Sequence, residues 1–335
     1  ADTIRSLKLD KAKKDKFPKD TIAIYNPSID SLQLIANVKS FKLAKEGDWL
    51  AYLSEKDERP ECSKKKCKHK KKKKCIIKSK TSGTTLHLIN PTNGETATID
   101  AVTDYKISKK GDQLFYITSL KGDEDTLSLH RFDLTTMEST TLLSNQLKIA
   151  KLTFDYENEQ LVFLHSTDTN KRKTFALSYW DKATNLASIL IDSNTTGMPA
   201  GYTVSEFCNP YFSRNGERLF IGTNKIVEQE AEDTLLETEK AKVDVWSGFD
   251  QRIQPQQLKQ KKSDEKKNYR AVYHFDKKKF VQIANEDLER IRTIDQANSK
   301  MALGYSNKAY QKSMTWAFPW KNDVYLIDLE TGENS

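Results

Sequence analysis

The sequence predicts an all-β chain, a β-propeller built from four-stranded antiparallel blades. Three observations carry that prediction. The stretch Thr84–Ser119 alternates apolar and polar residues with period two, the mark of half-buried strands. Its hairpins recur along the chain at intervals of roughly 40 to 50 residues, as propeller blades do. Hydrophobic residues make up 37% of the 335 and charged residues 30%, as expected where each strand shows only half its side chains to a core.

Within Thr84–Ser119, Leu86 and Leu88 open a strand and Asn90-Pro91-Thr92-Asn93-Gly94 bends. Thr96 and Thr98 then mark a returning strand. Tyr105 and Ile107 lead to a second turn at Ser108-Lys109-Lys110-Gly111-Asp112, and Leu114–Ile117 comes back. The stretch reads as four short strands of one antiparallel sheet. The first hairpin recurs at Ala23–Leu34, Ser128–Leu143, Leu177–Ile191 and Val272–Ile283, and opens again at Val324. Its bends start at Asn26, Asp133, Asp181, Asp276 and Asp328, whose side chains can bond their own backbone. Four residues past the Asx stand Asp30, Gly94, Asn185 and Gly332, types that tolerate a left-handed backbone. Met137 breaks that rule, and the Asp276 turn is shorter. The second hairpin recurs at Phe41–Leu53, Leu152–Leu164 and Tyr211–Ile221. A lone four-stranded sheet cannot bury its two apolar faces, so neighbours must cover them. A β-sandwich shares the alternation, but the regular repeat favours the propeller.

The remaining elements follow in order. Residues 1–20 are a Lys-rich lead-in with Pro18 before the first strand, and 21–335 form the partial propeller. Ala1 in place of an initiator Met points to a processed or trimmed start. Residues 55–82 interrupt the first blade as a surface insertion, because nine Lys between Cys62 and Cys75 cannot be buried. Thr196–Tyr202 is a connector ahead of Val204 and Phe207. Ile226–Lys242 is acidic and rich in helix formers, a short helix or an extended crossing. Val243-Asp244-Val245-Trp246 reads as a strand, Gln251–Asn268 as a polar loop containing Pro255, and Glu286–Ile294 as one or two helical turns. Thr315–Trp320 belongs to the last blade.

Charge and cysteines narrow the function. The net charge is +8, but residues 61–80 hold eleven Lys and one Glu, +10, so the rest of the chain carries −2. That tract has no aromatic residue for stacking bases, which argues against specific nucleic-acid binding. No apolar run reaches the roughly 20 residues of a membrane span. Four cysteines do not make a disulfide scaffold. Cys62, Cys67, His69 and Cys75 could be four zinc ligands, but their C-x4-C-x-H-x5-C spacing matches no common site and the lysines repel a cation. The tract reads as a solvated insertion; a disulfide among Cys62, Cys67 and Cys75 stays open.

Catalytic motifs do not assemble. There is no phosphate loop, no G-x-G-x-x-G and no H-E-x-x-H. Gly304-Tyr305-Ser306-Asn307-Lys308 begins like the serine elbow G-x-S-x-G but has Lys at the second Gly, so Ser306 is a poor nucleophile. His87, His130, His165 and His274 fall in predicted strands, where a histidine is more often structural than catalytic. No catalytic, cofactor-binding or metal-binding residue is assigned.

Some of these residues resemble a known family. Phe212-Ser213-Arg214-Asn215-Gly216-Glu217-Arg218-Leu219 resembles the F-S-x-x-G-x-x-L hairpin of the propeller in prolyl oligopeptidase-like serine peptidases. Ile107–Leu114 is similar to a second copy, and Asp328–Glu333 to the outer hairpin. The run Lys242–Trp246, Gln254–Gln257 and Tyr269–Ile283 resembles one in large secreted bacterial members, as does Ser6–Asp10 through Tyr25. The resemblance implies a non-catalytic propeller that filters oligopeptides on their way to a C-terminal α/β-hydrolase domain. It also implies a periplasmic or secreted location. The family's catalytic Ser, Asp and His lie in that second domain, and no residue here matches them. Some relatives hold a substrate's N-terminus with acidic side chains, a role open to Glu206 or to Glu228–Glu239. The chain holds about five blades and the start of another, against the family's roughly seven or eight, so an incomplete propeller is expected. The alternative function is a freestanding propeller that serves as a protein-interaction scaffold. A Lys/Cys-directed nucleic-acid or metal binder is a remote third.

Overall fold

The computed structural model describes residues 2–10, 17–26, 30–55, 83–120, 125–226, 243 and 246–335. The Lys tract with Cys62, Cys67, His69 and Cys75, and the acidic stretch Glu228–Glu239, lie outside them. The chain divides into two compact units, residues 1–145 and 146–335. Strands dominate both, and every strand pairing is antiparallel.

The first unit opens with helix α1 (Asp2–Leu9), inside the predicted lead-in. Eight strands follow as one meander in chain order. They are β1 (Asp20–Asn26), β2 (Ser31–Leu43), β3 (Leu50–Ser54), β4 (Thr84–Ile89), β5 (Thr96–Ile107), β6 (Gln113–Leu120), β7 (Thr126–Asp133) and β8 (Glu138–Gln146). The predicted strands around Thr96 and Tyr105 are therefore one element, β5. Its first part, Thr96–Ile99, pairs with β4, and its second, Asp104–Ile107, pairs with β6. Between them Ala101 takes a left-handed conformation, φ 63°, and both pairings shift register there. A left-handed residue inside a strand makes a bulge that redirects it. The predicted unit thus starts in one four-stranded half and finishes in the next. Asn37, φ 60°, divides β2 in the same way. The two halves share a core: Leu86 and Leu88 of β4 and Leu53 of β3 meet Leu114 and Tyr116 of β6 and Phe132 of β7. Each such side chain contributes roughly 1.5–3 kcal/mol by leaving water.

The second unit carries three sheets. The first is β9 (Lys148–Phe154), β10 (Gln160–Ser166), β11 (Ala176–Asp181) and β12 (Leu186–Ile191), again in chain order. The next is built on β15 (Arg218–Lys225), β16 (Tyr269–His274) and β17 (Lys279–Gln282). Its edge position is shared by β13 (Tyr202–Val204) and β14 (Tyr211–Phe212), both paired with β15. The last is β18 (Arg290–Thr293), β19 (Met301–Ser306) and β20 (Asp323–Asp328). Alternate residues of the middle sheet serve two cores. Leu219, Ile221, Ala271 and Tyr273 pack against Val162, Leu164 and Leu177 of the sheet before. Phe220, Val272 and Val281 pack against Ala302 and Ile327 of the sheet after. These are stacked antiparallel blades of the predicted class.

The turns repeat by chemistry more than by sequence. Asn90, Asp133, Asp181 and Asp328 each accept backbone N–H groups of their own bends, such as Thr92 N on Asn90 Oδ1 at 3.0 Å. All the predicted left-handed positions are left-handed, and so is Met137 at φ 59°. In the other hairpin Ser108 Oγ accepts Gln113 N at 3.1 Å and Ser213 Oγ accepts Arg218 N at 3.0 Å. Asp155 replaces that serine, its Oδ1 accepting Gln160 N at 2.9 Å, and Asn158 at φ 63° stands where Gly111 and Gly216 stand in the other copies.

Three segments differ from the sequence reading. Gln254–Asp264 is a helix, α2, with Pro255 in its first turn, where a missing N–H costs nothing. Arg290–Thr293 is strand β18 where helical turns were expected, because Ile291 alternates with arginines and packs on the last core. Val243 and Trp246 lie outside any strand, and Asp244 and Val245 lie outside the described residues.

The strand histidines are held by local partners. His165 is buried, and with Gln146 Oε1 3.0 Å from its Nδ1, that nitrogen donates. Its Nε2 then accepts from the Ser178 hydroxyl at 2.9 Å. Burial pushes the imidazole below its ordinary value of 6.5. His274 contacts Leu329 O through Nε2 at 2.8 Å, joining two neighbouring sheets.

Two predictions follow from this geometry. Met137→Gly should raise stability by about 0.5–1 kcal/mol in urea unfolding, because glycine takes φ 59° without strain; a loss of stability would contradict the strain. Because the unfolded state binds the His165 proton more readily, the wild type should lose thermal stability as pH falls below about 6.5. His165→Gln should flatten that slope, with His130, lowered by the same burial, keeping part of it.

Candidate functional site

Helix α2 presents its polar side inward. Gln256, Gln257, Gln260 and Asp264 are half-buried, whereas Leu258 is 61% exposed. Helices normally turn an apolar stripe toward the protein, so α2 does not sit where it does to bury apolar surface. It roofs a groove of about 990 Å³ whose other wall is the segment from Glu286 to Arg290 and the end of β19 at Tyr305–Ser306.

Side-chain pairs hold the roof. Gln257 Nε2 donates to Asp250 Oδ2 at 3.0 Å and to Arg252 O at 2.7 Å. Arg252 donates to Gln260 Oε1 at 2.6 Å and pairs with Asp264 at 2.9 Å. Lys267, just past the helix, pairs with Glu289 across the groove at 2.5 Å. On the far wall Lys225 pairs with Glu286 and Lys308 with Asp287. Hydrogen bonding to Lys225 lowers the Glu286 carboxyl below its ordinary range, and Asp287 raises Lys308. Burial, followed by the nearby Glu286 carboxylate, pushes the Tyr269 hydroxyl up to about 12, so it stays a donor at neutral pH. Most of the groove's charges are therefore paired in place, Asp250 holding the Gln257 amide and Arg290 standing outside these pairs, and between them the groove offers a ligand amides and hydroxyls.

Exposed aromatics gather beside it. Phe249 and Phe318 are 91% and 90% exposed, and Trp246, Trp316 and Trp320 are exposed too. Lys312 Nζ donates to Gly248 O at 3.3 Å and so joins the 246–250 segment to the 3-10 helix Lys308–Thr315. Trp320 lines the groove itself.

Residues weighed from sequence fall as follows. Ser306 ends β19 and lines the groove, and its Oγ accepts Lys308 N at 3.4 Å. Glu206 lies in Ser205–Pro210, between β13 and β14, and pairs with Lys148 at 2.5 Å. In the same excursion Cys208 is buried against Gly222, where an added Cβ would lie 2.3 Å from the cysteine's own, and burial raises its thiol. Among the described residues no cluster of His, Cys, Asp and Glu could hold a metal ion. No helix among them is long and apolar enough to cross a membrane. The groove residues escaped sequence reading, although Gln256, Gln260 and Asp264 at four-residue spacing were a signal for one polar helix face.

No family profile matches the chain. No curated protein matches it either. Among solved structures it is similar to the β-propeller domain of the Trilobed protease from Pyrococcus furiosus. The TM-score is 0.41 and the identity 11%, over 89% of this chain and 70% of that one. It is also similar to TolB from Acinetobacter baumannii, with a TM-score of 0.36 and 8% identity over 95% of this chain and 59% of that one. A prolyl endopeptidase matches at a TM-score of 0.42 and 10% identity, over 89% of this chain and 35% of its own length. The chain thus spans less than two thirds of the TolB and about a third of the prolyl endopeptidase.

Paired charges on half-exposed side chains contribute little each, roughly 0–1 kcal/mol, and salt screens them. Hydrogen exchange of α2 amides should therefore run about a hundredfold faster than that of Leu219–Ile221 in β15. It should speed up further when NaCl rises from about 0.05 to 1 M. Equal protection of the two segments would show that something other than these pairs secures the roof.

Proposed function

We propose that the chain is the non-catalytic propeller portion of a periplasmic or secreted serine peptidase of the prolyl oligopeptidase type. In this role it restricts and guides oligopeptides toward a Ser-His-Asp site on an α/β-hydrolase domain outside these residues. The groove under α2 is the observation that carries the reading. It is of ligand size, most of its charges are paired internally, and its lining offers donors and acceptors together, which suits holding a peptide. Of its two serines, Ser306 accepts Lys308 N and Ser263 donates to Gln260 O, and no histidine lines the groove among the described residues. The resemblance of Phe212–Leu219 and of the 242–283 run to the propeller of such peptidases supports the same reading.

The exposed cluster of Phe249, Trp316, Phe318 and Trp320 favours a second reading, a freestanding interaction scaffold, since patches of this kind mark protein contacts. A fluorophosphonate active-serine probe separates the two. The whole gene product should label at one serine, whereas residues 1–335 alone should not label. Specific labelling of this chain would end the non-catalytic assignment, and an unlabelled whole product would leave the scaffold.

A further inference from the structure

We infer that the groove between the glutamine face of α2 and the 286–290 segment binds an extended peptide through its main chain, with little regard to side chains. The inference rests on the peptide-guiding reading above and names the part of the molecule that performs it.

The chemistry of the lining selects the ligand. Gln256, Gln260, Gln311 and Asn307 carry amides that donate and accept; Gln311 Nε2 donates to Asn307 Oδ1 at 3.1 Å, which leaves the Gln311 carbonyl and the Asn307 NH2 to face a ligand. A peptide backbone presents the same alternation of N–H and C=O. Six of the groove's charged side chains are tied to one another through Lys267–Glu289, Arg252–Asp264 and Lys308–Asp287. A charged ligand would have to break such pairs, whereas a neutral amide chain need not. The groove also reaches Arg290, the first residue of β18. Among the described residues strand β18 ends its sheet and pairs with β19 alone, so no described strand pairs with its other side. A sheet edge beside an amide-lined groove is the arrangement in which an extended peptide adds as a further strand. An oligosaccharide would also suit amides and could stack on Tyr269, Tyr305 or Trp320 of this lining, but it would make no use of the strand end at Arg290, which an extended peptide can extend.

The inward polarity of α2 has the same explanation. Gln256 and Gln260 stand one turn apart on its inner face, and their half-burial costs hydrogen bonds to water unless a partner of matching polarity occupies the groove. Part of that demand is met by Arg252 on Gln260, and none of the hydrogen bonds among the described residues engages the Gln256 side chain.

The test uses the 335-residue chain and the blocked hexapeptide acetyl-(Ala-Thr)3-amide, which has no terminal charge. Titration calorimetry and tryptophan fluorescence should both show saturable binding, with a Kd near or below about 1 mM. Methylating alternate peptide nitrogens should weaken it at least about tenfold by removing backbone donors. The double variant Gln256→Ala/Gln260→Ala should lose a similar factor with an unchanged circular dichroism spectrum, since alanine favours helix. Leu258→Ala, on the outer face, should bind like the wild type. Absence of saturable binding, indifference to N-methylation or to the glutamine variant, or tighter binding of maltohexaose would each overturn the assignment. The two levels fail separately. If the hexapeptide does not bind while the whole gene product still labels with fluorophosphonate, the groove assignment falls and the peptidase reading stands. If the hexapeptide binds but no serine labels, the peptidase reading falls and the groove remains.

Discussion

Burial of both faces of each interior sheet is the constraint on which the second unit depends. In β15 and β16 the chain cannot alternate apolar with polar, because neither face meets water. Leu219, Phe220 and Ile221 run consecutively, as do Ala271, Val272 and Tyr273. Odd and even positions are divided between two cores, so a one-residue slip in register would exchange the occupants of both. That explains the close fit around small residues. Gly304 faces Ile327 and Leu288, and a Cβ there would lie 2.8 Å from either side chain. Polar ties between sheets are specific, among them His274 on Leu329 O, and Arg218 Nη1 on Asn298 O and Ser299 O at 2.9 and 2.7 Å. They fix how far one sheet slides on the next, which dispersion forces alone leave loosely determined.

The hairpin turns show what is repeated. Each second-type hairpin closes with one backbone bond across the turn, from Ala44 to Trp49, Ser108 to Gln113, Asp155 to Gln160 and Ser213 to Arg218. The residue that starts it is Ala, Ser, Asp and Ser in turn. Two serines and the aspartate add a side-chain acceptor for the returning N–H, and Ala44 manages without one. A search for one motif would find two copies, whereas the geometry occurs four times.

Most of the fold was legible in the sequence, for physical reasons that differ by element. The hairpins announced themselves because period-two patterning and Asx bends are local. The displacement of the repeat by half a blade was not legible. It depends on left-handed Ala101 and Asn37 inside long strands, and alanine gives no hint of that conformation. Strand β18 was misread because its single apolar residue, Ile291, sits between arginines. Helix α2 was read as a loop because helix signals rest on an apolar stripe, and this stripe is made of Gln256, Gln260 and Asp264. The groove was invisible for a deeper reason. Its walls come from segments some 20 to 50 residues apart, and no spacing rule brings them together.

The same feature that hid α2 from the sequence makes it suited to its place. A roof held by an apolar face would close permanently, since each buried side chain adds roughly 1.5–3 kcal/mol to closure. A roof held by a few half-exposed pairs lies within a few kcal/mol of opening. The blades beneath cannot flex in this way, because their faces are filled on both sides. The sheets supply the wall opposite α2, with β18 at the end of its sheet among the described residues. A ligand that adds hydrogen bonds to both wall and roof gains affinity only when α2 is closed, so binding and closure must favour each other.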